Sequence, residues 1–239
     1  MANNRTAIPQ LLTDVTGGEC SVRFRSAPDD IGWAHALFVE RIGASLVESR
    51  ESFVQSATEQ TPVWRPRLAL AEVGGRRVGA QLGGLLPEVG LLSLPYTAVA
   101  AGYEGQGVYT ALKRAMLAAL ERMAGARGLP SPAGNISEEA AGSAQYRRKV
   151  ERGTAIVLPV PYLQPAAQGV AQTPLALTYE PLTGPIPAFT GEQCLTIVAA
   201  VYRALYRIER PEEHSSYQEI VCGLGVAHSG LGEIGGGGL

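Results

Sequence analysis

The chain has 239 residues, 20 basic and 22 acidic side chains and a formal net charge of −2, a balance that argues against nucleic acid as its main partner. Its three cysteines lie far apart and match neither a disulfide framework nor a zinc site, so a reducing cytoplasm is the expected compartment. No apolar run reaches the ~18 residues that a membrane span needs and residues 1–10 show no signal-peptide pattern, so we expect no membrane partner.

The N-terminal half of the chain predicts a strand, two helices and an antiparallel meander of three strands. Residues 1–18 are mixed and polar, and we expect them to form a tail or a cover over a sheet edge. Pro28-Asp29-Asp30 is a helix-start signal, and Gly74-Gly75 is a strong hairpin signal between two apolar strands. The predicted elements are a strand at 20–25, helices at 28–49 and 51–60, and strands at 67–73, 77–85 and 91–99.

The stretch from Val99 to Leu112 passes from an apolar strand through three glycines into a helical pattern. Glycine permits positive φ and close approach of a ligand, and the first N–H groups of a helix have no partner within it. The helix dipole adds roughly half a positive charge at that end. The stretch therefore predicts a phosphate site, beside the plainer interpretation of a tight strand-to-helix turn. The helix, which we expect to end at Gly125 or Gly128, has an apolar stripe of Val108, Leu112, Met116, Ala119 and Met123.

The C-terminal half of the chain gives fewer signals. Residues 181–222 predict a C-terminal extension with one amphipathic helix at 193–208, which packs on the domain or across a homodimer interface. Residues 223–239 are rich in glycine and lack periodicity, and we expect them to be mobile. The elements predicted before the extension are a short strand centred on Asn135-Ile136, a helix capped by Ser137-Glu138-Glu139 and continuing to Val150, and strands at 154–160 and 175–179.

The stretch from Val99 to Leu112 resembles the acyl-coenzyme A loop of the GNAT acyltransferase superfamily. In that family a strand ending in Val is followed by Arg/Gln-x-x-Gly-x-Gly/Ala at the start of the main helix. The matching positions are Val99, Gly107, Val108 and Thr110-Ala111-Leu112, and the order of elements over residues 19–180 also matches.

Two positions of this loop depart from the family pattern. Glu104 stands where the family usually has Arg or Gln, and Tyr109 stands where it usually has a small residue. An acid within ~5 Å of a pyrophosphate repels it by roughly 1–3 kcal/mol. Glu104 could instead turn to solvent and favour the positive end of the helix dipole.

The resemblance implies an α/β fold of the α+β kind, with a mixed, mostly antiparallel central sheet flanked by helices. It also implies transfer of an acyl group, most readily acetyl from acetyl-coenzyme A, to a primary amine of a small molecule or peptide, without a metal. Tyr146 is the implied proton donor, although a core or interface tyrosine is an alternative interpretation. The residues that the resemblance assigns to coenzyme A are Val99, Gly105, Gln106, Gly107, Val108, Tyr109 and Asn135.

The resemblance does not assign a general base to any residue. The strand at 91–99 carries no acid, and Glu88 in the preceding turn could act through water or could simply be a solvated turn residue. Two other functions therefore stay open. One is a GNAT-like protein that binds coenzyme A without catalysis, and the other is a synthase of N-acyl amino acids that uses a longer acyl thioester.

Overall fold

The computed structural model describes residues 11–15, 18–166 and 172–225 of the chain. The strands are β1 Leu11–Val15, β2 Gly18–Arg25, β3 Arg65–Val73, β4 Arg76–Leu86, β5 Leu91–Val99, β6 Gly134–Glu139, β7 Ile156–Val157, β8 Leu163–Gln164, β9 Thr173–Pro174 and β10 Ala176–Pro181. The helices are α1 Pro28–Ile42, α2 Arg50–Thr58, α3 Val108–Gly125, α4 Ala144–Glu151, α5 Gly191–Leu205 and α6 Ser215–Gly223, with a 3-10 turn at Pro211–Glu213. None of these helices is long and apolar enough to cross a membrane.

Within the described ranges, eight strands form one sheet in the order β1-β2-β3-β4-β5-β6-β10-β7, and β8 pairs separately with β9. The β3–β4 turn has Gly74 and Gly75 at φ values of 56° and 76°, as a tight hairpin requires. All neighbours in the large sheet are antiparallel except β5 and β6, which run parallel. The predicted fold class, a mixed and mostly antiparallel sheet flanked by helices, is confirmed.

Helices cover the sheet through three buried clusters. The stripe of α3 packs on β2 to β5, with Leu112, Met116 and Leu120 fully buried. Helices α1 and α2 form a second cluster around Phe38 and Phe53, which also includes Leu82 of β4. The third cluster lies under α5 and joins it to β6 and β10. The amphipathic helix predicted in the extension therefore packs on the domain of its own chain.

The sheet opens between its two parallel strands. Strands β5 and β6 are paired only at Leu92 with Asn135 and at Ser93 with Ile136. Directly after these pairs β5 contains a bulge, because Leu82 pairs with Tyr96 whereas Gly84 pairs with Ser93. A bulge bends its strand and increases the local twist. From Leu94 onward, the β5 edge that faces β6 has no strand partner among the described residues.

Two predicted helices are wrong in their bounds. The helix predicted at 28–49 ends at Ile42, because Gly43 follows with φ of 114° and its N–H bonds Val39 O at 3.1 Å. Residues 43–49 form a loop instead. The helix predicted to start at Ser137 begins only at Ala144, because residues 134–139 pair with β10 as a strand and Ser143 caps the helix.

Leu11–Val15 is a strand that covers the edge of β2, which agrees with the cover over a sheet edge predicted for residues 1–18. The C-terminal part of the chain differs from prediction. The extension contains a second helix, α6, beyond the single one predicted. The strand predicted at 154–160 shortens to Ile156–Val157, and β10 begins one residue after the predicted 175. The predicted mobility of 223–239 concerns mainly residues 226–239, which lie outside the described residues.

The contact between β4 and Trp64 yields a stability prediction. A Cβ added at Gly84 would lie 2.6 Å from the Trp64 ring and 2.8 Å from the Arg65 carbonyl oxygen. We expect Gly84→Ala to destabilise the protein by about 1–3 kcal/mol in urea denaturation, because this site has no room for a methyl group. Gly125→Ala is the control, since nothing lies within 4 Å of its added Cβ. Equal stability of Gly84→Ala and wild type would contradict the packing described here.

Candidate functional site

The glycine loop closes β5 onto α3 as a compact turn. Gly102, Gly105 and Gly107 have φ values of 83°, 75° and 83°, and nothing lies within 4 Å of a Cβ added to any of them. The Gln106 side chain donates from Nε2 to Gly102 O at 2.7 Å, which holds the loop closed on itself. Val99 ends β5 just before the loop, and Val108 is buried in the core beneath α3. The loop surface is therefore backbone, open to an approaching ligand.

The N-terminus of α3 is suited to bind an anion. Its N-cap is Gly107, without a side-chain cap, and the first turn carries no acid. Ala111 N–H makes the first helical bond, to Gly107 O at 2.9 Å, so the N–H groups of the preceding residues have no partner within the helix. These donors without a helical partner, together with the helix dipole, fit a phosphate or pyrophosphate group.

The Glu104 side chain is exposed and folds back toward the loop backbone. Its carboxylate accepts the Gly102 N–H at 2.7 Å and pairs with the Arg41 guanidinium of α1. Hydrogen bonds from its own backbone N–H and from Gly102, together with Arg41, lower the pKa of Glu104. The acid that departs from the family pattern thus has partners of its own on the side of the loop that faces α1.

Asn135 is a buried residue near the start of β6, not a turn residue. Its Nδ2 donates to Ser137 Oγ at 3.0 Å, and its Oδ1 has no hydrogen-bond partner in the described part of the chain. Lys149 of α4 donates to Glu139 at 2.6 Å and to Ser137 Oγ at 3.4 Å. This buried polar row follows one face of β6 toward the end of the strand, beside the opening from β5.

Tyr109 and Tyr146 lie near this row on two different helices. Burial, with the nearby carboxylates of Glu180 and Glu139, raises the pKa of Tyr109 to about 12, although Arg148 opposes the shift. Tyr146 lies in the first turn of α4, where its N–H donates to Ser143 Oγ at 3.1 Å. Its side chain is half-buried.

A cleft of about 330 Å³ occupies the opening between β5 and β6. Strand β5 contributes Leu94 to Thr97, and β6 contributes Ser137 to Glu139. Ser143 and Gln145 of the α4 region also line it, whereas Tyr146 and Glu88 are not among the lining residues. The remaining lining residues are Arg41, Ile42, Leu46, Glu48, Ser56, Trp64, Leu82, Ala140, Gln164, Leu175, Leu205 and Tyr206.

Glu48 is the cleft residue with the most useful acid–base properties. It lies in the loop that follows Gly43, is 6% exposed, and accepts the Ser56 hydroxyl at 2.8 Å. Its backbone N–H donates to Tyr96 Oη at 3.4 Å. Burial raises the pKa of Glu48 to about 7, which outweighs the opposing effects of Ser56 and Arg207. A carboxyl group with this pKa can exchange protons near neutral pH.

Glu138 brings a second carboxyl group to the cleft, from the opposite strand. It accepts hydrogen bonds from Tyr162 and from Tyr206, the latter at 2.7 Å. Burial raises the pKa of Glu138, although both tyrosine hydroxyls oppose the shift. Tyr96 also lines the cleft, and burial raises its pKa, with smaller contributions from the charges of Glu48 and Glu138. Tyr206, which follows α5, makes the C-terminal extension part of this site.

Glu88 does not line the cleft, and the structure has a second hollow. Glu88 forms an ion pair with Arg203 of α5. Arg203 and Arg207 line a hollow of about 350 Å³ near the ends of α2 and α5, and Arg207 pairs with Glu59 at 3.7 Å. Both basic groups of this hollow are therefore matched by acids. The described residues contain no group of three His, Cys, Asp or Glu side chains that could hold a metal ion.

The glycine loop is predicted from the sequence, whereas the roles of Glu48 and Glu138 in the cleft are not. Glu138 falls in the predicted helix cap, and only Ile136 among residues 135–139 is apolar, so no polar–apolar alternation marks this part of β6 as a strand. Glu48 carries no local signal, because its burial depends on Ser56 and on β5.

Comparison with solved structures shows which fold this arrangement belongs to. A GNAT-family protein from Bacteroides thetaiotaomicron matches with a TM-score of 0.54 and 15% identity, over 78% of this chain and 99% of the other. The ribosomal-protein-S18-alanine N-acetyltransferase from Escherichia coli matches with a TM-score of 0.50 and 13% identity, over 72% and 99%. Ard1 from Thermoplasma volcanium matches with a TM-score of 0.50 and 13% identity, over 69% and 99%.

These likenesses confirm the resemblance to the GNAT superfamily at the level of the fold. No protein-family model and no curated protein matches the sequence. At 13 to 15% identity the solved structures carry no residue roles over to this chain.

The raised pKa of Glu48 predicts a pH dependence of stability. The folded protein binds this proton up to a pH of about 7, whereas the reference value for the free side chain is 4.5. Stability from this group is therefore complete below pH 4.5 and is lost as the pH rises to 7, by up to about 3 kcal/mol. Urea denaturation at pH 5 and pH 8 should show a smaller loss for Glu48→Gln than for wild type. An identical pH dependence for the two proteins would contradict the burial of an ionisable Glu48.

Proposed function

We propose that the chain is an acyl-coenzyme A-dependent N-acyltransferase that transfers an acetyl group from acetyl-coenzyme A to a primary amine. The observation that carries this proposal is the opening between β5 and β6, with the glycine loop and the N-terminus of α3 after β5 and a cleft lined by Glu48 and Glu138. The GNAT fold supports the proposal, since the solved structures that share it include an N-acetyltransferase.

The loop and the β5 edge would hold the acyl donor. N–H groups from Gly105 to Tyr109 bind the pyrophosphate, and the side chains of Gln106 and Val108 fix the loop that presents them. After Ser93, the backbone groups on the β5 edge that faces β6 have no strand partner among the described residues. An extended part of a ligand that contains amide groups would form hydrogen bonds to them in the way a neighbouring strand does. Acetyl-coenzyme A supplies such a part and an activated thioester at its end.

The acceptor amine must lose a proton before it can attack. Glu48 takes this proton from the ammonium group, because its pKa of about 7 is close to that of a base that works at neutral pH. The neutral amine forms the new C–N bond at the thioester carbonyl, its nitrogen releases a second proton to solvent, and the C–S bond then breaks. Backbone N–H groups on the β5 edge stabilise the negative oxygen, and Tyr146 is the proposed donor of a proton to the departing thiolate.

Glu104 supports a second candidate function, a protein that binds coenzyme A without catalysis. Its carboxylate already accepts the Gly102 N–H and adds a negative charge to the phosphate loop. Turnover separates the two functions, because only an enzyme releases free thiol in the presence of an amine. The alternative of N-acyl amino acid synthesis is separated by the acceptor, since it requires a free amino acid.

Ligand binding is the first test of the proposal. Coenzyme A at a hundredfold excess over its Kd adds about 2.7 kcal/mol, which corresponds to a rise in Tm of roughly 5–11 °C for a chain of this size. Gly107→Val should abolish the rise, because a side chain would cover the loop N–H groups. Gly128→Val is a matched control, since Gly128 also has positive φ, at 68°, and lies beyond the far end of α3. No rise in Tm at millimolar coenzyme A would refute the proposed function.

The assignment of the base predicts a second result. The rate of thiol release by wild type should rise with pH through about 7 as Glu48 becomes ionised, and Glu48→Gln should lower kcat by about 100-fold or more and abolish this limb. Tyr146→Phe should lower kcat without changing the Tm shift by coenzyme A. A Glu48→Gln enzyme with the wild-type pH profile would show that another group accepts the proton.

A further inference from the structure

The cleft contains two carboxyl groups, those of Glu48 and Glu138, that form no ion pair with a described residue. Among the ion pairs of the described residues, Arg41 pairs with Glu104 and Glu139 pairs with Lys149 at 2.6 Å. Among the described side chains, Glu48 bonds the Ser56 hydroxyl, and Glu138 bonds the hydroxyls of Tyr162 and Tyr206. Arg207 affects Glu48 only through its charge at longer range. A cation that enters the cleft would be the first direct counter-ion of either acid.

The walls between these acids fit the body of a small organic cation. The aromatic side chains of Tyr96, Trp64 and Tyr206 line the same cleft as the two acids. Aromatic faces attract ammonium groups and pack well against hydrocarbon. Gln164, which is 4% exposed and also lines the cleft, has an Oε1 without a hydrogen-bond partner among the described residues. This oxygen is an acceptor that an N–H group of a ligand could satisfy.

The size of the cleft limits what enters it. Its volume of about 330 Å³ is at the lower end of the range for small-molecule pockets. Leu205 and Tyr206 of the C-terminal extension close one side of it, and α5 is anchored there by its own buried cluster. A compact amine fits this volume better than an extended polypeptide does.

From this arrangement we infer that the acceptor is a small cationic amine with no carboxylate on the carbon that bears the amino group. This inference rests on the proposed function and names the acceptor of that same site. The ammonium group binds between Glu48 and Glu138, and the hydrocarbon body packs on Tyr96 and Trp64. A free amino acid would add a negative charge beside Glu48 and Glu138, and charges of the same sign repel.

Matched acceptors test the inference with one variable changed at a time. Thiol release from acetyl-coenzyme A is measured with 2-phenylethylamine, phenylalaninamide and phenylalanine, and with isoamylamine, leucinamide and leucine. Within each series the side chain is constant, and only the last member carries a carboxylate. We expect the amine and the amide to exceed the amino acid in kcat/KM by about 100-fold or more, because only the amino acid places a carboxylate beside the two acids. A free-amine decapeptide should be a poorer substrate than the best small amine.

Variants connect this selectivity to the two acids. Glu138→Gln keeps an acceptor for both tyrosines but removes the charge, so it should raise KM for the amines and narrow the ratio between 2-phenylethylamine and phenylalanine at least tenfold. The Tm rise with coenzyme A should not change, which shows that the variant is folded. Glu213→Gln removes an exposed acid that pairs only with Arg210, and it should behave as wild type.

Each outcome bears on a different claim. Equal or better use of the free amino acids, or use of the decapeptide alone, would overturn the inference and leave the proposed function standing. A Tm rise with coenzyme A but no thiol release with any acceptor would overturn both the inference and the enzymatic activity. Calorimetric titration of 2-phenylethylamine into the coenzyme A complex gives a readout without turnover, and binding that Glu138→Gln does not weaken would also overturn the inference.

Discussion

The structure depends on the two-residue pairing of β5 with β6. Parallel strands normally continue side by side for the length of both, but here the bulge at Leu94 and Pro95 turns β5 away after Leu92 and Ser93. Proline supplies no N–H for a ladder and is tolerated at such a bulge. Because the strands separate, the sheet has a slot in its middle instead of a continuous surface. The glycine loop, the row of polar residues on β6 and the cleft all border this slot.

The carboxyl groups of the cleft cost stability, although the proposed function needs them. A carboxyl group in a buried place favours its neutral form, and both Glu48 and Glu138 show this effect in their raised pKa values. Hydrogen bonds from Ser56, Tyr162 and Tyr206 reduce the cost without supplying a counter-charge. Such groups are retained at functional sites more often than in ordinary cores. A neutral carboxyl group that ionises when a cation arrives can both bind an ammonium group and remove its proton.

Much of the fold could be predicted from local patterns, and the failures have physical causes. The glycine hairpin, the meander and the stripe of α3 depend on residues close in sequence, and each is found as predicted. Ser137 to Glu139 resemble a helix cap locally, but pairing with β10, some forty residues later, keeps them in a strand. The sequence alone does not show which way the Glu104 side chain faces, because its partner Arg41 lies on α1, far away along the chain. Glu48, in the loop after α1, and Glu138, on β6, line one cleft only because of the tertiary fold, so no local spacing reveals them.

The most direct test of the account is a crystal structure of the protein with coenzyme A. The account predicts that the pyrophosphate contacts the N–H groups of Gly105 to Tyr109 and that the thiol lies in the slot between β5 and β6, facing the cleft with Glu48. The contrary result is coenzyme A bound elsewhere, for example in the hollow beside Arg203 and Arg207, with β5 and β6 free of ligand. That result would separate the GNAT fold of this chain from the function proposed for it.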